Sequence, residues 1–210
     1  MEIKKYCPED SSAHEGFVRD GYVIYKNVYP KELIDDTREL FFSSYNRLDQ
    51  AHKEGKIDKV VNGWAISIIS MYEKTQLYEN FISNTNIIKV MKGYLGPDIC
   101  VLGYDALWIN APKDKDPVLL KSQHTDAWTG TSINSIFVKS FITDVDQYNS
   151  MCVSPASHLQ GLMPVRNREI DPMYKIKFEN INLDCVVAGD VLIWHPLLIH
   201  STMGHSDKNI

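Results

Sequence analysis

A histidine and an aspartate stand one residue apart in SQHTDAWTG, residues 122–130. On an extended strand His124 and Asp126 share a face, because side chains alternate with a period of two. An imidazole and a carboxylate on one face can converge on a single ion. They can equally form an ordinary hydrogen-bonded pair, and the triplet by itself does not choose. A third ligand has to come from elsewhere, and the downstream histidines are His158, His195, His200 and His205. Two of them lie in GDVLIWHPLLIH, where an apolar strand runs from the Gly189-Asp190 turn toward His200. A histidine closing an otherwise buried strand is well placed to face a barrel interior. Two histidines and one carboxylate make the facial triad that suits non-haem iron(II), with positions left open for a cosubstrate and oxygen. His200 follows His124 by 76 positions, room for several intervening strands.

These residues need a scaffold, and the sequence changes texture along its length to supply one. FVRDGYVIYKNV (17–28) ends a short helix, turns at Asp20-Gly21 and continues as the strand YVIY. Pro30 suits the first turn of a second helix, with Leu33, Thr37, Leu40, Phe41 and Tyr45 at helical spacing and Gly55 as its stop. A further helical pattern covers roughly 78–94 and stops at GYLGPD. Beyond Gly96 the chain reads as short strands separated by Gly, Pro, Asn and Asp turns: VLGYDALWIN, VLLKSQHTDAW, NSIFVKSFITDV, MCVSPAS, LDCVVAG and DVLIWHPLLIH. The gaps are too short for crossover helices, so the series predicts a sandwich or barrel rather than βαβ units. The expected organisation is a single domain over 1–210. It comprises a helical N-terminal layer with one or more strands (1–96) and a β core that carries the candidate metal ligands (97–210), which the resemblance below implies to be a jelly-roll.

Composition narrows the class. The 210 residues, 44% hydrophobic and 23% charged, are enough for one folded core. A net charge of -5 argues against a nucleic-acid partner held through phosphates. The longest apolar run is too short to span a membrane, and MEIKKYCPEDSSAH has no signal-peptide core. Cys7, Cys100, Cys152 and Cys185 form no Cys-x-x-Cys, which fits free thiols in a reducing, cytoplasmic compartment.

Four pieces in order resemble the phytanoyl-CoA dioxygenase-like family of iron(II)/2-oxoglutarate-dependent oxygenases. They are FVRDGYVIYKNVYPKELID, QHTDAW, SPASHLQG (with Ala156 where the family's loop carries glycine) and GDVLIWHPLLIHST. The resemblance implies a mainly β fold with N-terminal helices and a double-stranded β-helix (jelly-roll, cupin-like) core. It implies His124 and Asp126 as proximal ligands and His200 as distal ligand of Fe(II). 2-Oxoglutarate is the implied cosubstrate and molecular oxygen the oxidant. The implied reaction decarboxylates 2-oxoglutarate and hydroxylates a C–H bond of a small-molecule substrate. The intact carboxylate of Asp126 points to hydroxylation, since related halogenases lack it. Trp128, Tyr104 and Trp108 are candidate pocket walls or core aromatics. His158 is a substrate contact or a cap on neighbouring backbone. His195 is a packed or hydrogen-bonded histidine.

The pattern departs from the family at one place. Relatives anchor the far carboxylate of 2-oxoglutarate with an arginine about a dozen residues after the distal histidine. Here STMGHSDKNI follows His200 without one, and most of the last core strand is lacking as well. The sequence is then either cut short before that arginine, anchored by another group, or independent of 2-oxoglutarate. Candidate anchors are Lys121, Lys139 and Lys208, with hydroxyl or amide help from Thr202 or Asn110. Lys139 places a charge inside the apolar IFVKSFI, where it faces either solvent or a counter-ion within. The rival readings are a metal enzyme that does without 2-oxoglutarate and a non-catalytic binding protein on the same scaffold.

Overall fold

The structure, a computed structural model, describes residues 3–58, 60–101, 107, 123–145, 150–167, 169–171, 173 and 177–202. The expected strand VLGYDALWIN apart from Val101 and Leu107, the start VLLKS of the expected strand VLLKSQHTDAW, and the loop APKDKDP lie outside these residues.

The N-terminal layer opens with a two-residue strand, β1 (Lys5–Tyr6), and helix α1 (Ser12–Asp20). Gly21 ends the helix at φ 80°, a left-handed conformation open to glycine, and its amide donates back to the Phe17 carbonyl. The chain then runs into β2 (Tyr22–Tyr25), as the Asp-Gly turn and the β-formers predict. Pro30 precedes the long helix α2 (Lys31–Lys53). Its fully buried line passes through Ile34, Thr37 and Ser44; Leu33, Leu40, Phe41 and Tyr45 flank that line half-buried.

Helix α3 (Val61–Tyr72) goes beyond the sequence reading. Its β-branched isoleucines weaken helix propensity by a few tenths of a kcal/mol each. Packing outweighs that: Trp64, Ile68 and Tyr72, four apart, are all buried. Trp64 and Tyr72 meet the rings of Tyr45 and Phe41 of α2 edge-on. The single helix expected over 78–94 is instead two, α4 (Gln76–Ile82) and α5 (Thr85–Leu95). Thr75 and Asn84 side chains cap them, each accepting from a backbone amide in the first turn.

Two sheets form the core. The first has β2 beside β8 (Val191–Trp194), which also pairs with β3 (Phe137–Ser140); β1 adds to the far side of β2. The second has β4 (Met151–Val153) between β7 (Ile181–Asn182) and β9 (His200–Thr202). A separate hairpin pairs β5 (Val165–Arg166) with β6 (Glu169–Ile170). The first sheet is apolar on both faces. Val23, Tyr25, Val191 and Ile193 pack in one cluster with Phe17 of α1 and Ile87, Val90 and Met91 of α5. Tyr22, Ile24, Leu192 and Trp194 pack with Met151 and Val153 of the second sheet. Sheet on sheet with helices outside fits the sandwich that the strand series predicts and the jelly-roll that the resemblance implies. Each fully buried Leu or Ile of this core stabilises the fold by about 1.5–3 kcal/mol.

One expected strand is absent. LDCVVAG (183–189) is a run of turns. Two of its amides go to side chains, Val187 donating to Asp190 and Ala188 to Asp144, while Leu183 and Gly189 donate to the separate Met151 and Phe141 carbonyls. The fully buried Asp190 also takes Lys5 at 2.7 Å and the Asn27 amide, which ties β1 and the β2–α2 connection to the start of β8. The four cysteines are free thiols. Among the described residues no helix is long and apolar enough to cross a membrane.

Candidate metal centre

The segment 191–202 reads as one strand but is two strands in different sheets. β8 ends at Trp194 and β9 begins at His200, and the five residues between carry the chain from one sheet to the other. Pro196 has no N–H to continue a ladder. The turn is closed by Leu198 donating to the His195 carbonyl and by the Leu197 amide donating to His195 Nδ1. Alternation between His195 and His200 therefore does not apply, since they do not share a strand.

This crossover is what the His-x-Asp segment docks on. His124 and His200 exchange both main-chain hydrogen bonds, each 3.0 Å, in an isolated antiparallel bridge. The Pro196 carbonyl accepts from the amides of Asp126 at 3.0 Å and Ala127 at 3.2 Å. Asp126 is not on a strand: it opens a 3-10 turn, Asp126–Thr129, closed by Gly130 at φ 82°. His124 and Asp126 converge because a bridge fixes the first and a tight turn curls the second back. The period-two argument reaches the right pairing by the wrong geometry.

The side chains meet as a cluster. One ligand atom each from His124, Asp126 and His200 lies within 4.8 Å of the others. His124 Nε2 is 3.8 Å from Asp126 Oδ1, and His200 Nε2 is 3.4 Å from Asp126 Oδ2. Exposures are 2%, 8% and 6%, so the donors are shielded from bulk water. His200 Nδ1 lies 3.0 Å from the Leu198 carbonyl. A carbonyl only accepts, so Nδ1 carries the proton and Nε2 presents a lone pair to the cluster. The Trp194 indole N–H donates to Asp126 Oδ2 at 2.9 Å and orients the carboxylate. Two imidazole nitrogens and an oriented carboxylate oxygen are the donor set of a divalent iron site with open positions, and the residues fit that ion.

Trp194, whose indole touches the cluster, is a residue that the sequence does not single out. Its signal was present: a tryptophan ending a buried strand must find an acceptor for its N–H. Ser157 is another. It is fully buried, and its hydroxyl accepts from the Ile199 amide at 2.8 Å, fixing the residue before His200. Ala156 sits at φ 62°, which explains why glycine suits that position in the resembled loop.

His158 takes the backbone-capping alternative. Its Nε2 lies 3.1 Å from the Val18 carbonyl of α1, and its ring lies 5.4 Å from the His195 ring. A side chain at Gly21 would strike that ring. Burial holds the pKa of His158 and of His195 below the ordinary histidine value, and at His195 the neighbouring His158 adds to it.

Of the remaining expected residues, Trp128 follows Asp126 inside the 3-10 turn, so its even strand step does not apply. Thr202 is two residues past His200 on β9, in register with Met151. Tyr104, Trp108, Asn110, Lys121, His205 and Lys208 lie outside the described residues. Lys139 lies on the inner face. It pairs with Leu192 across the β3–β8 ladder, on the face that carries Trp194, while the next residue back, Val138, faces outward. Its Nζ stands 5.3 Å from the centre of the Phe141 ring, also part of the inner cluster. Burial lowers its ammonium pKa to about 8.

With this geometry in hand, the profile of phytanoyl-CoA dioxygenase (PhyH) matches residues 17–209. The chain belongs to the phytanoyl-CoA dioxygenase family. This family member is a non-haem, iron- and 2-oxoglutarate-dependent oxygenase, with molecular oxygen as co-reactant. Solved structures share its fold. The non-haem α-ketoglutarate-dependent carbocyclase SnoK from nogalamycin biosynthesis aligns at TM-score 0.64 and 18% identity, over 98% of this chain and 83% of SnoK. AviO1 from Streptomyces viridochromogenes Tue57 aligns at 0.64 and 14%, over 98% and 91%. The epimerase SnoN, in complex with Fe3+, α-ketoglutarate and nogalamycin RO, aligns at 0.61 and 15%, over 93% and 78%. No curated protein matches the chain.

Proposed function

We propose that this oxygenase is a hydroxylase of a small molecule, with His124, Asp126 and His200 as the iron ligands. The observation that carries the reading is the buried cluster of two imidazoles and one carboxylate within 4.8 Å. An iron centre with 2-oxoglutarate and oxygen supplies the oxidising power to hydroxylate a C–H bond while 2-oxoglutarate loses carbon dioxide. The protein's own part is positional. The reciprocal main-chain bridge sets the two histidines side by side. The Leu198 carbonyl fixes which nitrogen of His200 faces the ion. The Trp194 indole holds the Asp126 carboxylate in a single orientation, and burial keeps bulk water from competing for the open positions. The carboxylate at Asp126 fills the position that a halide would need, which favours oxygen transfer to carbon.

The test begins with apo-protein under anaerobic conditions. Iron(II) is added, then 2-oxoglutarate is titrated while the visible charge-transfer band of the chelate is followed. The band is expected with the wild type and absent from Asp126→Ala. Metal binding without a band would sink the reading. Candidate small molecules are then scored by stimulated release of succinate, and the product is weighed. A product one oxygen atom heavier supports hydroxylation, whereas a product without added oxygen would leave the oxygenase class but remove the hydroxylase.

A further inference from the structure

The crossover from β8 to β9 turns within four residues, 195–198. The His195 carbonyl accepts from the Leu198 amide at 2.9 Å, and Pro196 holds the second position, where its fixed φ suits a β-turn. Asn, Asp and Ser commonly begin such turns, because their short side chains accept from the amide two residues on. Here an imidazole takes that part. His195 Nδ1 accepts from the Leu197 amide at 3.1 Å. An amide only donates, so this nitrogen presents its lone pair to the turn.

The Leu197 amide and the Pro196 carbonyl belong to one planar peptide group. That group is held at both ends. Its N–H goes to the His195 ring, and its oxygen accepts from the amides of Asp126 at 3.0 Å and Ala127 at 3.2 Å. The ring therefore sets the direction in which the carbonyl points, and the carbonyl sets where the chain docks at Asp126. The Leu198 carbonyl, at the end of the same turn, faces His200 Nδ1. The ring is itself held. It lies 6.4 Å from the Phe17 ring of α1 and 5.4 Å from the His158 ring, and the His195 amide donates to the Gly21 carbonyl at 2.9 Å. Leu197 is buried, so an amide left without this acceptor would be costly.

We propose that His195 is a positioning residue of the metal centre: through the Pro196–Leu197 peptide group, its ring holds Asp126 where it can share an ion with His124 and His200. This rests on the oxygenase reading and on the triad as the metal site. The ring nitrogen is spent on the turn and is not offered to the ion.

The experiment compares the wild type with His195→Phe and His195→Asn. Phenylalanine keeps a ring against Phe17 and His158 and removes the acceptor. Asparagine gives up the ring and restores an acceptor within reach of the amide two residues on. Each protein is stripped of metal, its fold is checked by circular dichroism, and its iron(II) affinity is measured anaerobically by competition with a chelator. His195→Phe should bind iron(II) about tenfold more weakly, the low end of what the supports of a metal ligand contribute. His195→Asn should recover most of the wild-type affinity, a rescue that ring packing alone would not give. Affinity unchanged in His195→Phe, or lost as fully in His195→Asn, overturns the proposal and leaves the oxygenase reading standing. No iron(II) binding by the wild type overturns both. If His195→Phe does not fold, His195→Ser is compared with His195→Ala, which differs from it only by the hydroxyl acceptor. The serine protein should then bind the more tightly, and equal binding overturns the proposal.

Discussion

At the scale of single residues, the proposed centre would depend on side chains that do not themselves offer a ligand atom. The second nitrogen of His200 is committed to Leu198, and one oxygen of Asp126 to Trp194. Such partners commonly contribute ten- to a hundredfold in metal affinity. Trp194→Phe keeps most of the ring volume against Phe137, with which Trp194 stacks at 5.4 Å, and removes only the donor. Iron(II) affinity, measured by competition with a chelator, should fall by roughly that ten- to hundredfold factor while the far-ultraviolet circular dichroism stays unchanged. Equal affinity would mean that the indole is only packing. That His124, Asp126 and His200 come together was legible in the sequence, because few residue types bind iron and their order along the chain was distinctive. Their supports were not legible: Trp194 and Ser157 act through hydrogen bonds whose partners lie tens of residues away.

At the scale of elements, three segments meet at one end of the barrel: the C-terminus of α1 with Gly21, the turn carrying Ser157 and His158, and the β8–β9 crossover. Ala156 donates to the Asp20 carbonyl, His195 donates to the Gly21 carbonyl, and the His158 ring fills the space between. Burial keeps the folded-state pKa of His158 below the ordinary 6.5. The unfolded chain therefore takes up this proton first as pH falls. The stability that neutral His158 contributes is fully present above about pH 6.5 and is lost as pH drops through the lower folded value. His158→Gln, whose amide can still reach the Val18 carbonyl, should flatten that part of the profile. Denaturant midpoints of the two proteins between about pH 7.5 and 5 are expected to converge in acid. Parallel profiles would show that the ring is not buried neutral. Helix and strand types were mostly legible here, and boundaries were not. Asp126 left its strand because the Pro196 carbonyl captured its amide, and 183–189 lost its strand to Asp190 and Asp144. Neither capture leaves a trace in local periodicity.

At the scale of the whole molecule, the proposed ligands come from parts of the chain that are far apart in sequence, so they would bind metal only when the chain is folded. Mass action then makes the ion a stabiliser, by about 2.7 kcal/mol at a concentration a hundred times its Kd. For a domain of this size that is roughly 5–10 °C in the unfolding midpoint. Manganese(II), stable in air, should raise the wild-type Tm by about that amount over a chelator-treated sample. Asp126→Ala should show no shift, and a shift retained in that variant would place the ion elsewhere. That the core is a β sandwich or barrel was legible from the strand series, and the jelly-roll from the family resemblance. That β1 and β2 of the N-terminal layer extend the core sheet was not, because strand pairing across more than 160 residues has no local signature.

The main-chain bridge between His124 and His200 has one more consequence. Its two hydrogen bonds belong to the backbone, so replacing either imidazole leaves them in place. Chemistry and architecture can therefore be inherited separately in this chain. A descendant that lost an imidazole here would keep the same two segments bridged, and with them the fold.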